Sequence, residues 1–240
     1  MSSQKVCLVT GAASKIGQQV VLKLVSNGKK VLALGDVEDI FSPDVLKTHK
    51  IKVNTLLPVT NKSFQKHDVQ FCFGDLSDIS FLASIFSSAD TNNIEIEHVI
   101  HLSANKEIQK TSPHAYHPDF GDTVNLLEVT RAYWQAHPKV FKSFFFASDK
   151  SNKVNDKIVK MMQKISDKEG FPINIYNSNP ISSIGSDYKG KTEVSSLYRL
   201  VTPLKILSNF KKNDDRAPSV NSKEYLMLLL IAITNSIKEN

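Results

Sequence analysis

The chain has 240 residues, of which 41% are hydrophobic, so one sizeable core is expected and two independent folding units are not. Its net charge of +6 comes from lysines scattered along the chain with few aromatic residues among them, which favours a solvated lysine-rich surface over a nucleic-acid partner. The most apolar run, Leu226–Ile233, is far shorter than the roughly 20 residues that span a bilayer, so we expect a cytoplasmic protein without a membrane span.

Strand-like apolar runs alternate with helix-length amphipathic segments, which is the pattern of a parallel sheet covered on both faces. Strands are predicted, in chain order, at Val6–Val9, Lys30–Leu34, Val69–Phe73, His98–His101, Phe141–Ala147 and Ile173–Tyr176. Helices are predicted at Ile16–Val25, Asp78–Phe86, Asp119–Gln135, Val154–Ser166 and Ser222–Lys238. Residues 37–67 form a long polar connection to which the pattern assigns no structure. The fold class is therefore α/β, with a doubly wound parallel sheet.

A glycine-spaced turn, T-G-A-A-S-K-I-G from Thr10 to Gly17, joins the first predicted strand to the first predicted helix. In such turns the first glycine permits a tight reversal, the middle one lets the backbone approach a pyrophosphate, and the last allows close packing at the helix N-terminus. Gly11 and Gly17 meet the two outer requirements. Ser14 replaces the middle glycine, so its hydroxyl could contact a phosphate while its side chain crowds the path of the dinucleotide.

The second predicted strand ends in Gly35-Asp36, about 20 residues after the turn. A carboxylate there accepts hydrogen bonds from an adenosine ribose and repels a 2′-phosphate, so Asp36 favours NAD. We therefore expect NAD rather than NADP, and Lys15 works against this preference because a cation there attracts the same phosphate. The alternative is that Asp36 is an ordinary residue of a turn at a strand end.

Further segments follow in a characteristic order. Phe73-Gly74-Asp75-Leu76 has a G-D-hydrophobic pattern, His101-Leu102-Ser103-Ala104 is similar to H-L-A-A, and Asp119–Glu128 is similar to N-V-x-G-T-x-N-L-L-E. With the T-G-x-x-G-x-x-G turn, they resemble the short-chain dehydrogenase/reductase superfamily in its extended or atypical form, the NAD-dependent epimerase/dehydratase-like type, over residues 5–176. The resemblance implies a Rossmann-type fold and a cofactor site formed by Gly11, Ser14, Lys15, Ile16, Gly17, Asp36, Asp75, Leu76, Ser103 and Ala104.

The same resemblance implies a catalytic serine after the fifth strand and a Y-x-x-x-K pair on the next helix, where the lysine lowers the pKa of the tyrosine. Ser148 is the serine candidate and Lys157 the lysine candidate, with Lys153 standing four residues earlier. No tyrosine occurs between Tyr133 and Tyr176, so the hydride-transfer machinery is incomplete. Lys153 and Lys157 are most simply a solvated helix face; the alternative is that one lysine replaces the tyrosine.

Members of the extended type carry a substrate lobe, for which only residues 177–240 remain, beside a cofactor-binding domain over residues 1–176. We expect this segment to form a small C-terminal lobe or interface packed on the same domain. The arginine-proline pair usual after the sixth strand is replaced by Asn177-Ser178. A homodimer through helices 119–135 and 154–168 is a further expectation from the resemblance.

We therefore expect a catalytically impaired, NAD-binding member with a binding, regulatory or assembly role. One alternative is an active oxidoreductase, epimerase or dehydratase that acts on a nucleotide sugar or small carbonyl compound with unconventional acid/base residues. Another is a structural subunit without cofactor. Cys7 and Cys72 lie in strand-like segments and are expected to be buried free thiols. The histidines lack metal-ligand spacing, and His101 is expected to be a packed or hydrogen-bonded residue.

Overall fold

The computed structural model describes residues 3–35, 41, 43–54, 60–102, 120–138, 142–149, 153–178, 192–193 and 219–220. The described strands are β1 (Gln4–Thr10), β2 (Lys30–Gly35), β3 (Val53–Asn54), β4 (Val69–Phe73), β5 (Ile94–His101), β6 (Ser143–Asp149), β7 (Ile173–Ser178), β8 (Thr192–Glu193) and β9 (Ser219–Val220). The described helices are α1 (Lys15–Ser26), α2 (Pro43–His49), α3 (Asn61–Lys66), α4 (Ile79–Thr91), α5 (Phe120–Ala136) and α6 (Lys153–Glu169).

Seven strands form one sheet in the order β3-β4-β2-β1-β5-β6-β7, and β8 and β9 form an antiparallel pair. The neighbours of β1 are β2 and β5, and both pairings are parallel. Strands β2 and β4 also pair in parallel. Because the chain runs outward from β1 in one direction and then returns to its other side, the direction of winding reverses between β1 and β5. The predicted doubly wound, Rossmann-like α/β fold is confirmed.

Helix α4 illustrates why the local sequence folds as it does. The carboxylate of Asp78 caps its N-terminus by accepting hydrogen bonds from the amides of Ser80 (2.8 Å) and Phe81 (3.2 Å). One face of the helix is buried, and it carries Leu82, Ile85, Phe86 and Ala89. The spacing of these residues is that of a helix with a single apolar stripe packed on a sheet.

Strand β5 has an irregular register against β1. Val6 pairs with Ile96 and Cys7 with His98, so Glu97 is the extra residue of a bulge. The buried Glu97 carboxylate forms an ion pair with the ammonium group of Lys5. The predicted strand His98–His101 is therefore too short, because the acidic residues before it interrupt the apolar pattern without ending the strand.

The predictions for residues 37–67 and for the strand Phe141–Ala147 also need correction. Residues 37–67 contain α2, β3 and α3 among their described positions, and β3 extends the sheet beyond β4 as an edge strand. These elements are short and polar, so hydrophobic periodicity does not reveal them. The predicted strand Phe141–Ala147 lies instead at Ser143–Asp149, which places Ser148 inside β6 rather than after it.

The described residues divide into two compact units. The first holds those up to residue 102 with 120–138 and 142–144, and the second holds 145–149, 153–178, 192–193 and 219–220. The predicted helix Ser222–Lys238 and most of the predicted lobe lie outside the described residues. None of the described helices is long and apolar enough to cross a membrane.

Candidate functional site

The turn after β1 has the geometry that its glycines predict. Gly11 has a φ of 65°, in the left-handed region where side chains are disfavoured. The amide of Ser14 donates to the Gly11 carbonyl oxygen at 3.1 Å and closes the reversal before α1 begins. The tight reversal predicted at Gly11 is thus present.

Gly17 lies in the first turn of α1, directly against the backbone of the preceding loop. A Cβ atom at Gly17 would overlap the carbonyl oxygen of Gly11 and lie 2.7 Å from the Cα of Ala12. The lack of a side chain at Gly17 therefore brings α1 close to the turn, which is the role expected of the last glycine.

Ser14 is the N-cap of α1. Its hydroxyl accepts a hydrogen bond from the Gly17 amide at 2.9 Å and donates one to the Gly11 carbonyl at 2.8 Å. A serine hydroxyl has a single proton to donate, and here that proton is used inside the turn. A hydrogen bond from the Ser14 hydroxyl to a bound phosphate would therefore have to replace the one to the Gly11 carbonyl. The sequence alone did not indicate this competition.

The segment after β4 lies beside the end of β2. The Gly74 amide donates to the Gly35 carbonyl at 3.1 Å, and a Cβ at Gly74 would lie 2.6 Å from the Cδ2 of Phe81. The next residue, Asp75, is exposed and accepts a hydrogen bond from the Ser77 amide at 2.9 Å, whereas the Leu76 side chain is buried. The ends of β1, β2 and β4 therefore bring the Gly11 turn and the Asp75-Leu76 pair to the same edge of the sheet.

Beneath the turn lies a buried polar network that sequence analysis missed. His101 Nδ1 is 2.7 Å from Thr10 Oγ1, and His101 Nε2 is 2.9 Å from Thr123 Oγ1. All three residues are fully buried. Burial lowers the pKa of His101 to about 3, so its ring is neutral at physiological pH. The expectation that His101 is a packed, hydrogen-bonded residue is confirmed.

Three predicted cofactor residues, Asp36, Ser103 and Ala104, lie outside the described residues. The backbones of Lys15 and Ile16 form the first two positions of α1. The three catalytic candidates belong to the second unit. Ser148 lies in β6, Lys153 is the first residue of α6, and the Lys157 side chain is exposed one residue before the buried Ile158.

Two buried cysteines and a second buried histidine also have shifted pKa values. Burial raises the pKa of both Cys7 and Cys72 to about 12, so the predicted buried free thiols are confirmed. Burial, together with the charges of Lys29 and Lys5, lowers the pKa of His98 to about 4. Among the described residues, no three histidine, cysteine or acidic side chains are grouped to hold a metal ion.

A doubly wound sheet with a glycine turn at its reversal point defines a Rossmann-type fold. The sequence profile of the GDP-mannose 4,6 dehydratase family matches residues 8–151, and the chain belongs to this family. Among curated proteins, UDP-glucuronate 4-epimerase 1 of Arabidopsis thaliana is 27% identical over 128 residues, which are 52% of this chain and 26% of that protein. UDP-glucuronate 4-epimerase 4 of the same plant is 25% identical over the same shares. The match thus spans about a quarter of the length of these relatives.

Solved structures agree on the fold. A UDP-glucose 4-epimerase superposes with a TM-score of 0.50 at 21% identity, over 72% of this chain and 50% of that one. The UDP-glucose 4-epimerase of Thermotoga maritima, solved with UDP-glucose, superposes with a TM-score of 0.50 at 15% identity, over 97% of this chain and 83% of that one. At these identities the likeness establishes the fold alone.

Proposed function

We propose that the chain binds NAD at the edge of the sheet formed by the ends of β1, β2 and β4, and that it serves as a binding, regulatory or assembly protein without hydride-transfer activity. The observation that carries the proposal is the turn from Gly11 to Gly17, located where the winding of the sheet reverses. NAD, when bound, supplies a hydride acceptor. The residues discussed below bind and orient it.

The amides at the start of α1 suit the pyrophosphate of a dinucleotide. The first residues of a helix have amides without intrahelical partners, and the helix dipole favours an anion there. Ser14 already occupies the Gly17 amide, which leaves those of Lys15 and Ile16 at the first two helical positions. The turn therefore fits a pyrophosphate with fewer donors than an all-glycine turn provides, and we expect weakened binding.

The adenosine end of NAD would lie toward β2 and β4. In the sequence Asp36 comes directly after β2, and an acidic residue at this position of a Rossmann-type fold supports NAD over NADP. Asp75 offers an exposed carboxylate near the adenine, and the buried side chain of the adjoining Leu76 anchors this segment. The Gly74–Gly35 hydrogen bond holds these two strand ends together.

The missing tyrosine supports a role without catalysis. No tyrosine occurs between Tyr133 and Tyr176, and α6 therefore offers no phenol to hold or release a proton at a substrate oxygen. Lys157, the candidate for the partner lysine, is exposed. An exposed ammonium group on a helix is most simply a solvated charge.

Calorimetric titration of the chain with NAD, NADH, NADP and NADPH tests the cofactor proposal. We expect NAD or NADH to bind with a dissociation constant on the order of 10 to 100 µM and to raise the melting temperature at saturation. NADP and NADPH should bind no more tightly than NAD and NADH. The variant Asp36→Ala should reduce the preference for NAD over NADP. If no dinucleotide binds, the chain is better described as a structural subunit without cofactor.

Turnover assays test the absence of catalysis. The curated relatives are named for UDP-glucuronate, and one structural neighbour was solved with UDP-glucose. These nucleotide sugars, together with GDP-mannose, form the substrate panel, and we expect none to be converted in the presence of NAD. Conversion would instead support an active enzyme with unconventional acid/base residues, and the variants Ser148→Ala, Lys153→Ala and Lys157→Ala would then identify them.

A further inference from the structure

Three residues from three different motifs meet below the glycine turn. Thr10 precedes Gly11, His101 ends β5, and Thr123 lies in the first turns of α5. The Thr10 hydroxyl oxygen contacts His101 Nδ1 at 2.7 Å and accepts a hydrogen bond from the Leu102 amide at 3.2 Å. His101 Nε2 contacts Thr123 Oγ1 at 2.9 Å. One side chain of the turn motif is thus connected to the end of β5 and to α5.

The network admits an arrangement of protons in which the ring proton of His101 lies on Nε2. Because Thr10 Oγ1 accepts from the Leu102 amide, its single proton is available for His101 Nδ1. The neutral ring then carries its own proton on Nε2, which donates to Thr123 Oγ1. In this arrangement each of the three contacts has one donor and one acceptor.

We propose that Thr10, His101 and Thr123 are positioning residues that hold the glycine turn and the residue after β5 in the conformation that binds the dinucleotide. The inference rests on the proposed function, since it concerns the affinity of the same site. None of the three side chains contacts the ligand in this proposal; they act through the backbones of Gly11 and Leu102. A buried polar network with all its members satisfied fixes geometry more strictly than apolar packing does.

The location of the network explains why it would affect the cofactor rather than the whole fold. Thr10 pairs with Leu34 of β2 on one side and with His101 of β5 on the other, so it stands where the winding reverses. Gly11, the next residue, begins the turn. A rotation of the Thr10 backbone would therefore displace the turn before it disturbed the apolar centre of β1.

Isosteric variants test the proposal. Thr10→Val removes the hydroxyl and keeps the shape, Thr10→Ser keeps the hydroxyl, and Thr130→Val is a matched control. Thr130 is also a fully buried threonine, but its hydroxyl donates to the Leu126 carbonyl within α5, outside the network. We expect Thr10→Val to weaken NAD binding about 3- to 10-fold, because that change in affinity corresponds to the usual net free energy of one hydrogen bond. Thr10→Ser should restore most of the affinity, and Thr130→Val should change it less than about 2-fold.

The experiment distinguishes positioning from a general loss of stability. If Thr10→Val and Thr130→Val have the same NAD affinity while folded, the proposal is overturned, whatever their melting temperatures. Hydrogen exchange gives a second readout that needs no ligand. In Thr10→Val we expect faster exchange at the Leu102 amide, which loses its acceptor, and at the Ser14 amide, which closes the turn.

The two proposals fail in different ways. If the parent chain binds no dinucleotide, the proposed function fails, and hydrogen exchange still decides whether the network holds the turn. Unchanged exchange at Ser14 and Leu102 would overturn the positioning role. A nitrogen-15 spectrum of the His101 ring tests the proton arrangement, since we expect the proton on Nε2 at neutral pH, and a proton on Nδ1 would contradict it.

Discussion

Ser14 has two effects on the glycine turn. Its hydroxyl stabilises α1 as the N-cap, and the same side chain occupies the Gly17 amide and the space beside it. The turn still forms without its middle glycine because Ser14 stabilises the start of the helix. The same side chain narrows the space that is left for a dinucleotide. Stability and affinity should therefore respond to substitution in opposite directions.

The variants Ser14→Gly and Ser14→Ala separate these effects. Ser14→Gly removes the side chain, so we expect NAD to bind about 3- to 10-fold more tightly, with a loss of only a few tenths of a kcal/mol in the free energy of unfolding. Ser14→Ala loses the cap, at a cost of about 1 kcal/mol, and keeps the Cβ that crowds the path. Calorimetry and urea unfolding measure both quantities. Equal NAD affinity of Ser14→Gly and the parent chain would show that the Ser14 side chain is no obstacle.

Gly17 and Gly28 provide a matched comparison of two reasons for a glycine. At Gly17 a Cβ would overlap backbone atoms, whereas Gly28 has a φ of 75° with no atom within 4 Å of a built Cβ. We expect Gly28→Ala to cost about 1 to 2 kcal/mol of unfolding free energy through backbone strain alone. Gly17→Ala should cost more and should also abolish NAD binding, because α1 must move away from the turn. Urea unfolding with calorimetry checks this, and retained NAD affinity in Gly17→Ala would contradict it.

At the scale of elements, α5 compensates for the irregular start of β5. The Trp134 indole donates to the Ile96 carbonyl at 2.7 Å, and the Tyr133 hydroxyl donates to the Ile94 carbonyl at 3.1 Å. Both side chains are buried. Backbone groups near the bulge are thus satisfied by side chains of a helix, which joins α5 to the sheet through directional contacts as well as apolar ones.

The variant Trp134→Phe should weaken this connection. It removes the indole donor and leaves unfilled volume, so we expect a loss of about 2 to 4 kcal/mol in the free energy of unfolding. The adjacent exposed residue supplies the control, since Gln135→Ala should change stability by less than about 0.5 kcal/mol. Urea unfolding followed by circular dichroism measures both. A loss below about 1 kcal/mol for Trp134→Phe would show that the indole contact is dispensable.

At the scale of the whole molecule, two buried histidines make stability depend on pH. The folded-state pKa is about 4 for His98 and about 3 for His101, both below the ordinary value of 6.5. At a pH between the folded-state pKa and 6.5, each histidine binds a proton in the unfolded chain and not in the folded chain. Stability from this source is therefore present above about pH 6.5 and is lost as the pH falls.

We expect the free energy of unfolding to fall by about 2 kcal/mol per histidine between pH 7 and pH 5. This window lies above the range in which most carboxylates titrate. Urea unfolding at pH 7, 6 and 5 measures the change, and His101→Gln should remove about half of it. If the parent chain and His101→Gln show the same pH dependence of unfolding, His101 does not contribute to it through a lowered pKa.

The sequence by itself determined the parallel α/β fold, the glycine turn after the first strand and the absence of the tyrosine. These features are local, because each depends on the periodicity, spacing or identity of residues that are neighbours along the chain. The central strands have continuous apolar runs, and Gly11 and Gly17 mark a turn whose backbone needs no distant partner to be recognised.

Only the tertiary structure decided how distant residues meet. The cap formed by Ser14, the bulge at Glu97 and the edge strand β3 depend on hydrogen-bond partners that hydrophobic patterning does not encode. Thr10 and His101 are 91 positions apart, and they meet because parallel pairing of β1 and β5 places them side by side. The physical reason is that a polar side chain becomes fixed only when folding removes water and leaves it one partner.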